Sequence, residues 1–186
     1  VNAMSAAGNP FLCTPNMDAL ANDGIRFTNV YCTSPVSGPS RASIVTGLMA
    51  REAGVEWNDN SKLREGIQTV GDLLGENGYR TVWAGKWHIP EIYPQRSKDS
   101  VKYLHGFELL PFWDAPNKHW LLGAETDPPL TDAVVSFLDS YDKREKPLFL
   151  AVSYHNPHDI CMYPRKVGWE TMSDSLLNLS PFGKYK

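Results

Sequence analysis

The chain has 186 residues, of which 42% are hydrophobic and 21% are charged, as is ordinary for a globular protein. This length predicts one domain with a substantial core, and no apolar run approaches the roughly 20 residues that cross a membrane. The net charge of -3 excludes a general attraction to nucleic acid, so an anionic ligand requires a local positive site. The widely spaced Cys13, Cys32 and Cys161 are expected to be unpaired packing residues.

The first 50 residues predict two helices separated by a strand and a loop. Thr14–Pro15 is typical of a helix start, and Gly24 ends this helix. The apolar residues of this helix that are spaced to face a core are Met17, Leu20 and Ala21. Residues 25–31 predict a short strand, and the prolines and glycine at 34–39 predict a loop, with the second helix starting near Pro39.

Two helix–strand pairs follow in the rest of the chain. An amphipathic helix that contains Val70 ends at Asn77–Gly78 and precedes a buried strand at Arg80–Ala84. Thr131–Lys143 predicts another helix, and Leu148–Tyr154 predicts an apolar strand. Helices that alternate with buried strands indicate an α/β fold, in which a mostly parallel sheet is flanked by helices and carries functional loops at its carboxyl ends.

Residues 87–129 are rich in proline, tryptophan and tyrosine without clear periodicity. We interpret them as a long functional excursion that shapes a substrate pocket. Its aromatic side chains either stack against sugar rings or pack in the core, and the sequence leaves both readings open. These side chains are Trp87, Tyr93, Trp113 and Trp120.

The strongest motif is Ser-Gly-Pro-Ser-Arg at positions 37–41, which continues to Thr46-Gly47. It resembles the signature of the sulfatase family, in which a cysteine or serine is followed by x-Pro-Ser-Arg and a Thr-Gly helix end. In that family the first residue is oxidised to formylglycine, whose hydrate supplies the nucleophile, and Ser37 has this position. A helix N-terminus offers free N–H groups and a positive dipole end to a sulfate, and Arg41 adds a cation.

Two further segments carry the same resemblance. Gly-Lys-Trp-His at 85–88 resembles the family's G-K-x-H segment. Alternation along an extended strand end predicts that Lys86 and His88 point to one side and contact the sulfate. The Pro-His pair at 157–158 follows the last strand, and the resemblance implies that His158 protonates the leaving oxygen.

The other histidines of these regions, and one aspartate, are interpreted as structural or solvent-exposed residues. His155 is expected to be a structural neighbour of the site, and the same holds for His105 and His119 in the irregular region. Asp159 either orients His158 or is a solvated carboxylate, and the second reading is preferred.

The resemblance covers nearly the whole chain and implies an alkaline-phosphatase-like α/β fold that is truncated at both ends. Residues 1–186 then form a partial sulfatase catalytic domain without the initial strand and the C-terminal part. Family members bind calcium, or magnesium, through an early aspartate pair and a later Asp-Asn or Asp-Gln pair, and neither segment is found here. Ser37, as formylglycine, is the one expected metal ligand, so we expect the chain alone to be inactive.

The implied reaction is the hydrolysis of a sulfate ester on a small molecule or a glycan. In the complete enzyme the hydrate at position 37 attacks sulfur and Arg41 stabilises it. Sulfate binding and protonation of the departing alcohol are the implied roles of Lys86, His88 and His158. The implied partners are the sulfated substrate and a maturation enzyme for Ser37, in a periplasmic or secreted protein without nucleic acid or a membrane span.

Three alternatives remain open from the sequence. A phosphoryl hydrolase of the same superfold would use unmodified Ser37, and a non-catalytic domain would bind sulfated glycans without turnover. An engineered cysteine-to-serine replacement at position 37 would also give this sequence. No signal segment is visible in the chain.

Overall fold

In a computed structural model of the protein, the described residues are 3–59, 61–89, 103–110, 122–142 and 144–158. They belong to two compact units, Val1–Cys32 and Thr33–Lys186. The helices are a 3-10 turn at Ser5–Ala7, α1 (Pro15–Asp23), α2 (Ser37–Thr46), α3 (Ala50–Ala53), α4 (Val70–Glu76) and α5 (Leu122–Ser140). The strands are β1 (Arg80–Gly85), β2 (Tyr103–Leu104), β3 (Phe107–Leu109) and β4 (Leu148–Ser153). None of the helices in these ranges is long and apolar enough to cross a membrane.

The first unit is organised around the carboxylate of Asp18 in α1. This carboxylate accepts hydrogen bonds from the hydroxyls of Ser5 and Thr14. The hydrogen bond from Ser5 is the main reason why the pKa of Asp18 is lowered. The bonds join the 3-10 turn to the start of α1, which begins at Pro15 and is followed by Gly24, as predicted.

Three predictions for this unit are wrong. Helix α1 buries none of its residues, and its Leu20 is 76% exposed, so the predicted apolar side meets no core among the described residues. Residues 25–31 form no strand, because no strand of the described ranges pairs with them. Cys13 and Cys32 are unpaired as expected but exposed rather than packed, and Cys161 lies outside the described residues.

Reciprocal hydrogen bonds at its start define α4 in the second unit. The Thr69 hydroxyl accepts from the N–H of Asp72, whose carboxylate accepts from the N–H of Thr69. The predicted helix that ends at Asn77–Gly78 is therefore confirmed. Helix α2 begins at Ser37, two residues before the predicted start at Pro39, because the proline occupies the third helical position.

The second unit contains a four-stranded sheet with the order β2-β3-β1-β4. Strand β1 lies between β3 and β4 and runs parallel to both, with Val82 opposite Glu108 on one side and Leu150 on the other. Strands β2 and β3 form an antiparallel hairpin. The sheet is therefore mostly parallel, as predicted, and β1 and β4 each match their predicted strand to within one residue.

An aromatic cluster around Trp87, which follows the end of β1, forms much of the hydrophobic core. Trp87 is 1% exposed, and its ring centroid lies 4.9 Å from that of Trp83 and 5.8 Å from that of His105. Core packing is therefore the correct reading for Trp87, and sugar stacking is not. The other predicted stacking residues, Tyr93, Trp113 and Trp120, lie outside the described residues.

The region 87–129, predicted to be irregular, contains regular structure. It includes β2, β3 and the first part of α5, which continues through Pro128–Pro129 to Ser140. Proline removes a backbone donor and normally interrupts a helix, which is why the sequence predicts a later start. Leu130 and Val134 are buried in one cluster with residues of β1 and β4, and this packing stabilises the helix across the prolines.

Candidate active site

Three backbone segments meet at the carboxyl ends of β1 and β4. Directly after β1, the N–H of Lys86 donates to the carbonyl oxygen of Ser153 at 2.7 Å. Arg41, from α2, donates through Nη1 to the Lys86 carbonyl oxygen at 2.9 Å and to Ser153 Oγ at 3.0 Å. Gly85 permits this approach, because a Cβ there would lie 2.1 Å from the Ser153 carbonyl oxygen. The start of α2 and this edge of the sheet are thus directly connected.

Ser37 and His88 are in direct contact at this edge. Ser37 Oγ lies 2.8 Å from His88 Nδ1, and Ser37 is the first residue of α2. The φ angle of His88 is +52°, a left-handed conformation that costs energy for a residue with a side chain. Strand alternation therefore does not explain how Lys86 and His88 come together, because β1 ends at Gly85 and the chain turns.

His88 lies in a positively charged environment. Burial is the main cause that lowers the pKa of His88 to about 4. The charges that lower it further are those of Lys86, Arg41 and His158. Asp59 acts in the opposite direction. At neutral pH His88 is therefore neutral, and a neutral imidazole Nδ1 can accept a proton from the Ser37 hydroxyl.

The N-terminus of α2 offers fewer free N–H groups than the sequence predicts. The N–H of Gly38 donates to Asn58 Oδ1 at 2.8 Å, and Pro39 has no N–H. Of the first three helical residues, at most Ser37 can donate its N–H to a bound anion. Sequence reasoning missed Asn58, since one polar residue in a run of Asn and Asp carries no signal for this contact.

The loop after β4 brings His155 and His158 to the same edge. His155 is 7% exposed, and its Nδ1 lies 3.1 Å from Thr126 Oγ1 in α5, which supports the structural reading of this residue. His158 is exposed, and its N–H donates to the His155 carbonyl oxygen at 2.9 Å. His158 also acts electrostatically on His88, so the structure brings the predicted residues of all three motifs into one neighbourhood.

The other residues singled out from the sequence are elsewhere. The ring of His105 stacks on Trp87, and its carbonyl oxygen accepts from the Thr69 hydroxyl, so its contacts are with the core. His119 and Asp159 lie outside the described residues.

Comparison with known proteins assigns the chain to a family. The sequence profile of the sulfatase family matches residues 1–172. The chain belongs to the sulfatase family. An N-acetylglucosamine-6-O-sulfatase of Bacteroides thetaiotaomicron is 38% identical over 172 residues, an alignment that covers 89% of this sulfatase chain and 30% of that relative.

Solved structures agree on the fold. A 2-O GAG sulfatase structure superposes with a TM-score of 0.66 and 26% identity, and covers 87% of this chain and 34% of the other. A phosphonate monoester hydrolase of Agrobacterium radiobacter superposes with a TM-score of 0.64 and 22% identity, over 84% of this chain and 38% of the other. The predicted alkaline-phosphatase-like fold is thus confirmed. This sulfatase chain spans about a third of the length of these relatives.

The charged groups described around Ser37 suit an anion. The described residues contain no group of three or more His, Cys, Asp and Glu side chains that could hold a metal ion. The groups that act on His88 are mostly cations, with Asp59 as the one carboxylate among them. Calcium requires about six to eight oxygen ligands, so this part of the sulfatase does not by itself form its site.

Proposed function

We propose that this site hydrolyses sulfate esters. The observation that carries the proposal is the 2.8 Å contact between Ser37 Oγ and the neutral His88, surrounded by cationic side chains. Lys86 is 7% exposed, so water screens its charge less than that of a surface lysine. A sulfate group placed at Ser37 would therefore meet preorganised positive charge, which is what a transition state with negative oxygens requires.

We further propose that Ser37 is converted to formylglycine by a maturation enzyme. Ser37 is the first residue of α2 and is half-buried, which supports a role at the reacting centre. When formed, the hydrate of this group supplies the attacking hydroxyl. The neutral imidazole of His88 accepts a proton at this position, whether the residue is modified or not.

The remaining charged residues are given separate roles. Lys86 and Arg41 bind sulfate oxygens, and Arg41 also keeps the ends of β1 and β4 together through Lys86 and Ser153. His158, on the exposed loop, gives a proton to the departing alcohol. In the overall reaction, water and the ester give the alcohol and hydrogen sulfate.

A metal cofactor is proposed on family grounds alone. Calcium, or magnesium, would bind residue 37 in its formylglycine form together with oxygen ligands that the described residues do not supply.

Sulfated glycans are the proposed substrate class. The support comes from the relatives, because one is an N-acetylglucosamine-6-O-sulfatase and another is a 2-O GAG sulfatase. Degradation of such glycans favours a periplasmic or secreted protein, which fractionation of cells that produce the protein would test.

The Ser37–His88 contact also suits a second function. A phosphoryl hydrolase would use the Ser37 hydroxyl directly, with His88 as the proton acceptor, and the phosphonate monoester hydrolase shares the fold. Phosphate release by a protein with unmodified Ser37 would favour this function. Binding of a sulfated glycan without turnover would instead indicate a non-catalytic domain.

The proposed function is tested with the full-length protein, produced with a serine-type maturation enzyme. We expect release of sulfate from an activated aryl sulfate and from a sulfated N-acetylglucosamine. Ser37→Ala should reduce this activity by at least about a thousandfold, since the nucleophile is lost. Ser34→Ala is the matched control in the preceding loop and should retain activity. Equal activity of Ser37→Ala and the unaltered protein would exclude the proposal.

A further inference from the structure

One carboxylate from α5 holds the loop that follows β4. Asp127 Oδ1 accepts the N–H of His155 at 2.8 Å, and Asp127 Oδ2 accepts the N–H of Asn156 at 3.0 Å. The Asp127 side chain is 14% exposed, so water competes little for these charge-assisted bonds. Both oxygens of one side chain thus bind two consecutive backbone groups, which fixes the loop in position and in orientation.

The same helix contacts this loop at two more points. Thr126 Oγ1 lies 3.1 Å from His155 Nδ1. A Cβ at Gly123 would lie 2.6 Å from the side-chain atoms Cγ and Nδ2 of Asn156, so the glycine leaves the space that Asn156 occupies. The loop therefore contacts α5 over more than one helical turn, and the Asp127 carboxylate is the charged group in this contact.

A hydrogen bond connects His158 to the part of the loop that Asp127 holds. The N–H of His158 donates to the carbonyl oxygen of His155, whose own N–H is bound by Asp127. His158 itself is exposed, so packing does not fix its position as it fixes a core residue. The hydrogen bonds of Asp127 and His155 thus help to hold the backbone of His158 in place.

We infer that Asp127 is a positioning residue for His158, which it aligns with the leaving oxygen of the substrate. This inference rests on the proposed function, in which His158 gives that oxygen its proton. Misplacement of a reacting group by about 1 Å can cost about a hundredfold in rate. Loss of the carboxylate therefore slows the step that needs the proton of His158 and leaves sulfate binding by Lys86 and Arg41 largely intact.

The test compares two sulfate esters in the full-length protein. An alkyl or sugar sulfate has a poor leaving group that needs protonation, whereas an activated aryl sulfate leaves without it. Asp127→Ala should lower kcat for the sugar sulfate by about a hundredfold and kcat for the aryl sulfate by no more than about threefold. Asp127→Asn keeps one acceptor oxygen and should give a smaller loss, about tenfold, on the sugar sulfate. Asp132→Asn, an exposed residue of the same helix, is the matched control and should leave both rates unchanged.

The ratio of the two rates is the decisive readout, since it does not depend on how much of a preparation is folded. His158→Ala should show the same selective loss, and adding Asp127→Ala to it should cost little more, because both changes remove one function. Equal losses on both substrates in the Asp127 variants would overturn the inference and leave a structural role. An unaltered protein that hydrolyses neither ester would instead refute the proposed function.

Discussion

The loops after β1 and after β4 both contribute residues to the site, but different contacts hold each loop in place. The first loop is buried: Lys86 is 7% exposed and Ile89 is 2% exposed, and the backbone of the loop bonds directly to the end of β4. The second loop is exposed at His158, and a carboxylate from α5 holds its backbone. The first loop is thus fixed by burial and by its backbone contact with β4, and the second by hydrogen bonds from a neighbouring helix.

This difference corresponds to the two parts of the proposed substrate, which are the sulfate group and the alcohol. Buried cations act strongly on a small anion because little water screens them, so the β1 loop suits the sulfate group. An exposed histidine can reach a leaving group that extends into solvent, so the β4 loop suits the alcohol. Substitutions in the first loop should therefore affect all sulfate esters alike, and substitutions around the second should depend on the leaving group.

Among substitutions in the two loops, the largest effect on all sulfate esters is expected for Lys86 and His88 of the β1 loop. Lys86→Ala or His88→Ala in the full-length protein should lower kcat/KM for sulfate esters by about a hundredfold or more, because the first removes a charged contact to the transition state and the second removes the proton acceptor next to residue 37. Steady-state kinetics on an aryl and a sugar sulfate should show equal losses. Lys146→Ala, an exposed lysine before β4, serves as the control. Near-normal activity of both variants would remove these residues from the site.

Gly85→Ala probes the close approach of the two strand ends. A Cβ would lie 2.1 Å from the Ser153 carbonyl oxygen, and the φ of +89° is unfavourable for alanine. We expect a loss of about 3 kcal/mol in the free energy of unfolding, measured by chemical denaturation. Gly78→Ala has a similar φ of +86° with no atom within 4 Å of the added Cβ, and it should cost only about 1 kcal/mol. Equal losses in the two variants would show that the ends of β1 and β4 are not in close contact at Gly85.

Ser153→Ala tests whether Ser153 orients the side chain of Arg41. It removes one acceptor of Arg41 Nη1 and leaves the other, the Lys86 carbonyl oxygen. We expect about a tenfold loss in kcat/KM with little change in thermal stability, because one hydrogen bond to a charged group is lost. Ser136→Ala, exposed on α5, should have no effect. A protein as active as the unaltered one would show that Ser153 does not orient Arg41.

The sequence predicts the chemistry of the site better than the contacts that support it. Ser37, Lys86 and His88 lie in local motifs, and the sheet brings them together because the carboxyl ends of parallel strands share one edge. Asp127 and Asn58 were missed, because each binds backbone groups 20 or more positions away and leaves no local pattern. Such contacts depend on the packing of elements that no short motif describes.

The fold was predicted best where burial and local signals agree. Strand β1 is buried from Thr81 to Gly85 and follows a capped helix, and both were predicted. Residues 25–31 have an apolar composition without a strand partner in the described ranges, so composition alone was misleading. Helix α5 crosses Pro128–Pro129 because Leu130 and Val134 are buried next to β1 and β4, a tertiary effect that propensity does not include.

The mass of one peptide tests the central claim most directly. Trypsin cleaves after Arg26 and Arg41, so the peptide Phe27–Arg41 contains Ser37. In full-length protein that hydrolyses sulfate esters, we predict that this peptide is lighter than its sequence mass by two hydrogen atoms. Fragment ions should place the change at Ser37 rather than at the neighbouring serines. An active protein that contains only the unmodified peptide would contradict the account and favour direct attack by the Ser37 hydroxyl.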